Sequence, residues 1–129
     1  MSLPDDRETS LQTLRDRVRD FVAERDWEQF HTPKNLAMAL AIEAAELMEH
    51  FQWLTPEASR AVSDDADKRA AAGEELADVF CYVLALANEL KLDLTKTFFD
   101  KMRKNVEKYP AEEYRGRYGP EDTGPTAQS

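Results

Sequence analysis

Apolar side chains recur at helical spacing along most of the chain, and no stretch of useful length alternates as a strand would. From Ser10 onward, Leu11, Leu14, Val18, Phe21 and Val22 predict a first helix to about Arg25. An aromatic-rich connection, Asp26-Trp27-Glu28-Gln29-Phe30-His31, leads to Thr32-Pro33, the pairing expected where a helix begins. The second helix is predicted to run from there to about Leu54, stopping before Thr55-Pro56. A connection over 55–66, with one short turn of helix at 56–61, precedes a third long helix over roughly 67–90. Asp93 is placed to cap a fourth, from Leu94 to about Lys108, which Tyr109-Pro110 ends. The expected architecture is all-α, a four-helix-type bundle over 10–110, with flexible segments at 1–9 and 111–129.

The polar positions that break this pattern are more informative than those that follow it. On a wheel of about 100° per residue, Leu36, Leu40, Leu47, Phe51 and Leu54 form one apolar stripe about 60° wide on the second helix. Glu43 falls about 20° from Leu36, and Glu46 about 80° away. On the third long helix the stripe is Leu76, Val79, Phe80, Val83, Leu84, Ala87 and Leu90, and Glu75, Asp78 and Tyr82 run along its flank. Carboxylates at an apolar margin are costly to desolvate unless paired or bound to a metal. Glu43-x-x-Glu46 and Glu75-x-x-Asp78 each present two acids in one direction, so antiparallel packing would gather four. Four such charges at close range require a cation, and the hard oxygen set points to Mg²⁺, with a phosphate-bearing substrate completing its shell. The competing reading is a solvated flank held by surface ion pairs, but basic residues are sparse at helical spacing from either pair.

The bulk composition narrows the partners. Among 129 residues, 26 acids stand against 17 Lys and Arg for a net charge of -9, which argues against a nucleic-acid polymer or an anionic membrane. The length suits one domain. A single cysteine, Cys81, excludes an intrachain disulfide and a cysteine-based zinc site, and fits a reducing, cytoplasmic setting. No secretory signal and no apolar run of about 18 residues is evident, so no membrane span is expected.

Further candidates surround the carboxylates. Glu49 and Glu74 lie beside the two pairs, where a carboxylate near a metal can orient or deprotonate an attacking water. Lys101, Lys104, Asn105 and Lys108 share one face of the fourth helix, a basic surface suited to a polyphosphate. Trp27, Phe30 and Trp53 flank the second helix, and aromatic faces can stack on a nucleobase. His31 fits no His-rich metal spacing and reads as a hydrogen-bonding pocket residue or a structural one. No His-Glu-x-x-His and no glycine-rich phosphate loop occurs.

Four stretches in order, Arg25–His31, Glu43-Ala44-Ala45-Glu46 leading to Phe51-Gln52-Trp53, Glu74-Glu75-Leu76-Ala77-Asp78-Val79, and Lys101-Met102 through Asn105 to Tyr109-Pro110, resemble the MazG-like all-α nucleoside triphosphate pyrophosphohydrolases. Within that family they are most similar to the dCTP pyrophosphatase branch. The resemblance implies hydrolysis between the α and β phosphates, giving a monophosphate and pyrophosphate. It implies Mg²⁺ held by Glu43, Glu46, Glu75 and Asp78, with Trp27 and Trp53 around the base. Tyr82, Lys101 and Asn105 then lie near the sugar and phosphates. It also implies a homodimer, often doubled into a homotetramer. The sequence departs at Ile42, where many relatives carry a further glutamate, and at Val18, where animal dCTP enzymes carry a histidine near the base. Cytosine is the expected base. Uracil, a damaged purine, or a catalytically silent helical interaction module are the alternatives.

Overall fold

The computed structural model describes residues 2–117. Its elements are α1 (Leu11–Glu24), α2 (Pro33–Glu49), α3 (Pro56–Ala61), α4 (Ala66–Leu90), α5 (Leu94–Lys108) and α6 (Ala111–Tyr114), with single 3₁₀ turns at Glu28–Phe30 and Val62–Asp64. The fold is all-α, as expected, and among the described residues no strand occurs. No helix among them is long and apolar enough to cross a membrane.

Each of the helices α1 to α5 starts where a side-chain oxygen takes up an orphan amide. Ser10 accepts from the Thr13 N–H, Thr32 from Asn35, Thr55 from Ala58, Asp65 from Lys68 and Asp93 from Lys96. Pro33 and Pro56 sit in first turns, where a missing N–H costs nothing. Two helices end in the same way. The Asp26 N–H donates to Ala23 O and the Trp27 N–H to Val22 O, each at 3.1 Å, with Asp26 left-handed at φ 53°. Lys91 repeats this at φ 55°, its N–H donating to Asn88 O while Leu92 donates to Ala87 O. This six-to-one closure reverses the chain sharply. After α1 it folds Trp27 back onto Phe21, edge to face with ring centroids 5.7 Å apart.

The second helix is shorter than its pattern suggests. It ends at Glu49 rather than Leu54, and His50, Phe51 and Leu54 turn through three-residue bonds to Leu47, Met48 and Phe51. Thr55 must be extended to cap α3 ahead of Pro56, and the segment before it leaves the α conformation to reach that geometry. Phe51 stays half-buried, but Leu54 drops out of the stripe and Trp53 is 87 % exposed.

Residues Met1–Leu92 and Asp93–Ser129 form two compact units. In the first, α4 is the spine against which both α1 and α2 pack. Its buried apolar side chains are Val22, Leu36, Leu84, Ala85 and Ala87, so the core lies at the C-terminal half of α4. Nearer its N-terminus the expected stripe is open, with Leu76 57 % and Phe80 40 % exposed. Arg15 fixes the packing of α1. Its Nε donates to Asn88 Oδ1 at 3.0 Å and its Nη1 to Leu92 O at 2.6 Å, while Asn88 Nδ2 donates back to Arg15 O at 3.1 Å.

The second unit holds α5 and the single-turn α6. The tail was expected to be loop, yet Ala111–Tyr114 is helical, with Tyr114 and Arg115 donating to Pro110 O and Ala111 O. Pro110 breaks α5 and then begins a new turn whose first residues carry Glu112 and Glu113, acids suited to a helix N-terminus. The segment 118–129, part of that expected flexible tail, lies outside the described residues.

Candidate metal and substrate site

The packing of α2 on α4 brings the two acidic pairs together. One carboxylate oxygen each from Glu43, Glu75 and Asp78 lie within 4.8 Å of one another. Glu46 stands beside them, close enough to act on both Glu43 and Glu75. Glu43 Oε2 and Glu75 Oε2 are shielded from solvent and make no hydrogen bond. Among the described residues, no lysine or arginine forms an ion pair with any of the four. Acids that served only solubility would face water or meet a cation of the chain.

The electrostatics follow from that crowding. Burial, then the close approach and charge of Glu46, then the charges of Asp78 and Glu75 raise the pKa of Glu43 above its ordinary 4.5. Burial, Glu46 and Asp78 raise Glu75 in the same way, against a small opposing influence of His50. The Tyr82 hydroxyl is raised by burial and by Glu43, Asp78 and Cys81, and the Cys81 thiol by burial and Asp78. All four shifts report excess negative charge in a partly desolvated place, which a cation relieves. In an octahedral Mg²⁺ shell, neighbouring oxygens lie about 3 Å apart and opposite ones about 4 Å. The cluster is therefore within a small side-chain adjustment of that spacing, and its all-oxygen donor set fits a hard divalent ion.

Beside the cluster opens a cavity of about 350 Å³, within the range of small-ligand sites. Glu43 and Asp78 line one part of it. Trp27, His31, Tyr82, Val18, Phe21 and Val22 line others. Five residues singled out in the sequence thus meet around one space. Trp53 is outside this lining, in the exposed turn after α2. Glu49 is exposed in the last turn of α2 and Glu74 is exposed on α4; neither joins the three-acid cluster.

On α5, Lys104 pairs with Asp100 at 3.2 Å, and Arg103 pairs with both Asp100 and Glu107. Those two cations, Arg103 first, hold the Asp100 carboxyl below its ordinary value. Lys101 and Lys108 carry no ion pair among the described residues, although Lys108 Nζ lies 5.3 Å from the Tyr109 ring centroid. Asn105 is half-buried and caps the helix end through its carbonyl, which accepts from Tyr109.

Three contributors were not legible as site residues. Arg17 and Cys81 line the cavity, and His50 acts on Glu75. Arg17 precedes Phe21 by one helical turn, a weak signal that only the packing of α1 on α4 makes meaningful.

Comparison with known proteins gives the same direction. A sequence model described as the MazG-like family matches residues 38–118. The chain is 42 % identical over 109 residues to a rat (Rattus norvegicus) protein named dCTP pyrophosphatase 1, covering 84 % of this chain and 64 % of that protein. It is 44 % identical over 104 residues to the human (Homo sapiens) protein of the same name, covering 81 % and 61 %. The chain therefore spans a little under two thirds of the length of these curated relatives. The crystal structure of a pyrophosphatase from Archaeoglobus fulgidus DSM 4304 is similar at TM-score 0.72 and 34 % identity, covering 85 % of this chain and 98 % of that one.

Proposed function

The chain belongs to the MazG-like family, and on that premise we propose that it is a Mg²⁺-dependent nucleoside triphosphate pyrophosphohydrolase. It cleaves between the α and β phosphates and releases a monophosphate and pyrophosphate. The preferred substrate is dCTP or a modified dCTP, consistent with the name carried by the rat and human relatives. One observation carries this reading: a cluster of carboxylates that no lysine or arginine pairs with among the described residues, two of whose oxygens are shielded and unpartnered, opens onto an aromatic-lined cavity.

Glu43, Glu46, Glu75 and Asp78 are the residues that would hold Mg²⁺. When bound, the ion neutralises charge on the phosphate oxygens and polarises the phosphorus under attack. The protein groups do the rest. Trp27, pinned against Phe21, offers a face on which the base stacks, an interaction typically of about 1–3 kcal/mol. His31 and Tyr82 supply hydrogen-bonding groups along the wall of the cavity. Glu49, one turn beyond Glu46, orients and deprotonates the attacking water. Lys101, Asn105 and Lys108 are assigned to the phosphates, and Trp53 to the base, on their chemistry and on the family resemblance alone.

The same reading includes self-association into a homodimer or homotetramer. Its support is apolar exposure on α2 and α4, where Met38 is 56 %, Ile42 59 % and Leu76 57 % exposed. Sedimentation equilibrium at micromolar concentration should give a dimer or larger, and a monomer would remove this part of the proposal. The activity is tested by product analysis. With Mg²⁺ and dCTP, dUTP, dATP and dGTP in parallel, pyrophosphate and the corresponding monophosphate should accumulate fastest from dCTP. Release of orthophosphate, or no turnover of any nucleotide, would refute it.

A further inference from the structure

Within that nucleotide reading, we propose that Arg17 reads the edge of the base and sets a preference for cytosine over uracil. Its place in the cavity comes first. The Arg15 carbonyl is bonded to the Asn88 side chain, so α1 at this point is level with the last turns of α4. Asn88 lies ten residues beyond Asp78, about 15 Å along the helix axis, and Arg17 is only about 3 Å further along α1 than Arg15. Arg17 therefore lines the cavity from the end formed by Ala85 and Val18, away from the carboxylates. The carboxylate end, where the acids would hold the cation, would take the phosphates, and the base would be left facing Arg17.

Its chemistry comes second. The neighbouring arginines are engaged: Arg15 with Asn88 and Leu92, Arg19 with Asp16 at 2.9 Å, and Arg25 over the Phe21 ring at 3.8 Å. Arg17 makes no hydrogen bond or ion pair among the described residues, and no other lysine or arginine lines the cavity. A guanidinium only donates, through a planar fork that pairs with two adjacent acceptors. Cytosine presents O2 and N3 side by side as acceptors. In uracil and thymine N3 carries a hydrogen, so one arm of the fork would meet a donor. A site built to pair with such a group rejects the analogue that lacks it far more strongly than an apolar pocket can.

The test compares kcat/KM for dCTP and dUTP with saturating Mg²⁺ in the wild type, Arg17→Leu and Arg17→Lys. The wild type should favour dCTP. Arg17→Leu should lower kcat/KM for dCTP about tenfold or more, mainly through KM, and change that for dUTP by less than about threefold. Arg17→Lys keeps the charge but not the fork, and should retain most of the loss. Arg17 is exposed, and the dUTP rate of each variant serves as its own check on folding. Equal losses on both nucleotides, an unchanged ratio, full rescue by lysine, or a wild type that favours dUTP would overturn the inference. If pyrophosphate is released but the ratio is unmoved, the Arg17 assignment fails alone. A wild type inert toward every triphosphate would bring down the nucleotide reading with it.

Discussion

Glu43→Gln is expected to lower kcat by on the order of 10²–10³-fold or more, and yet to raise the melting temperature of the cation-free protein. Activity falls because a neutral amide holds a divalent ion far less well than a carboxylate. Stability rises because Glu43 sits among Glu46, Glu75 and Asp78, half-buried, with one oxygen shielded and unpartnered. Removing its charge relieves repulsion that no lysine or arginine ion pair offsets among the described residues, and the amide keeps nearly the same volume. Asp78→Asn should behave alike on activity. Glu49→Gln separates two roles: as the proposed water-orienting base outside the three-acid cluster, it should lose turnover while keeping the stabilisation expected from Mg²⁺. Steady-state kinetics and calorimetry with and without the ion read all three. A Glu43→Gln protein that is fully active, or less stable without the ion, would take Glu43 out of the cluster's chemistry.

The sequence disclosed the acids because they violate the helical pattern at their own positions. Glu43 is wrong for a residue about 20° from Leu36 on a wheel of 100° steps, and that misfit needs no partner to be visible. The helix starts were legible for the same reason, since Ser10, Thr32 and Asp93 act on amides three residues away. What depends on distant partners was not legible. The end of α2 answers to Thr55-Pro56 and the cap that α3 needs, so a stripe that continues to Leu54 in the sequence stops at Glu49 in space. Leu76 and Phe80 look like core, but within this chain the burial they would need is concentrated around Leu84, Ala85 and Ala87. Arg17 becomes a cavity residue only through the bond between Arg15 and Asn88, 73 positions apart, and no local pattern encodes that register. Cys81 is similar: in the sequence it speaks of a reducing environment, and in space it lies beside Asp78 and Tyr82.

Withdrawing the cation should abolish activity and lower the melting temperature, by an amount that depends on pH with a definite sign. Glu43 and Glu75 have folded-state pKa values above the ordinary 4.5. Between 4.5 and those raised values, the native state holds more protons than the unfolded chain, so stability falls as pH rises through the window. In the cation-free protein these groups therefore cost least below about pH 4.5 and most above their raised values. Mg²⁺ competes with the same protons, so its binding strengthens over the range in which the empty cluster grows costly. The gain in melting temperature on adding Mg²⁺ should be small near pH 5 and larger at pH 8. At a hundredfold excess over Kd, binding to the native state alone contributes about 2.7 kcal/mol. Chelator titrations followed by differential scanning calorimetry across that pH range make the measurement, with Glu43→Gln as the control in which the pH dependence flattens. A gain equal at pH 5 and pH 8, or none at either, would mean that the ion is not held by these carboxylates.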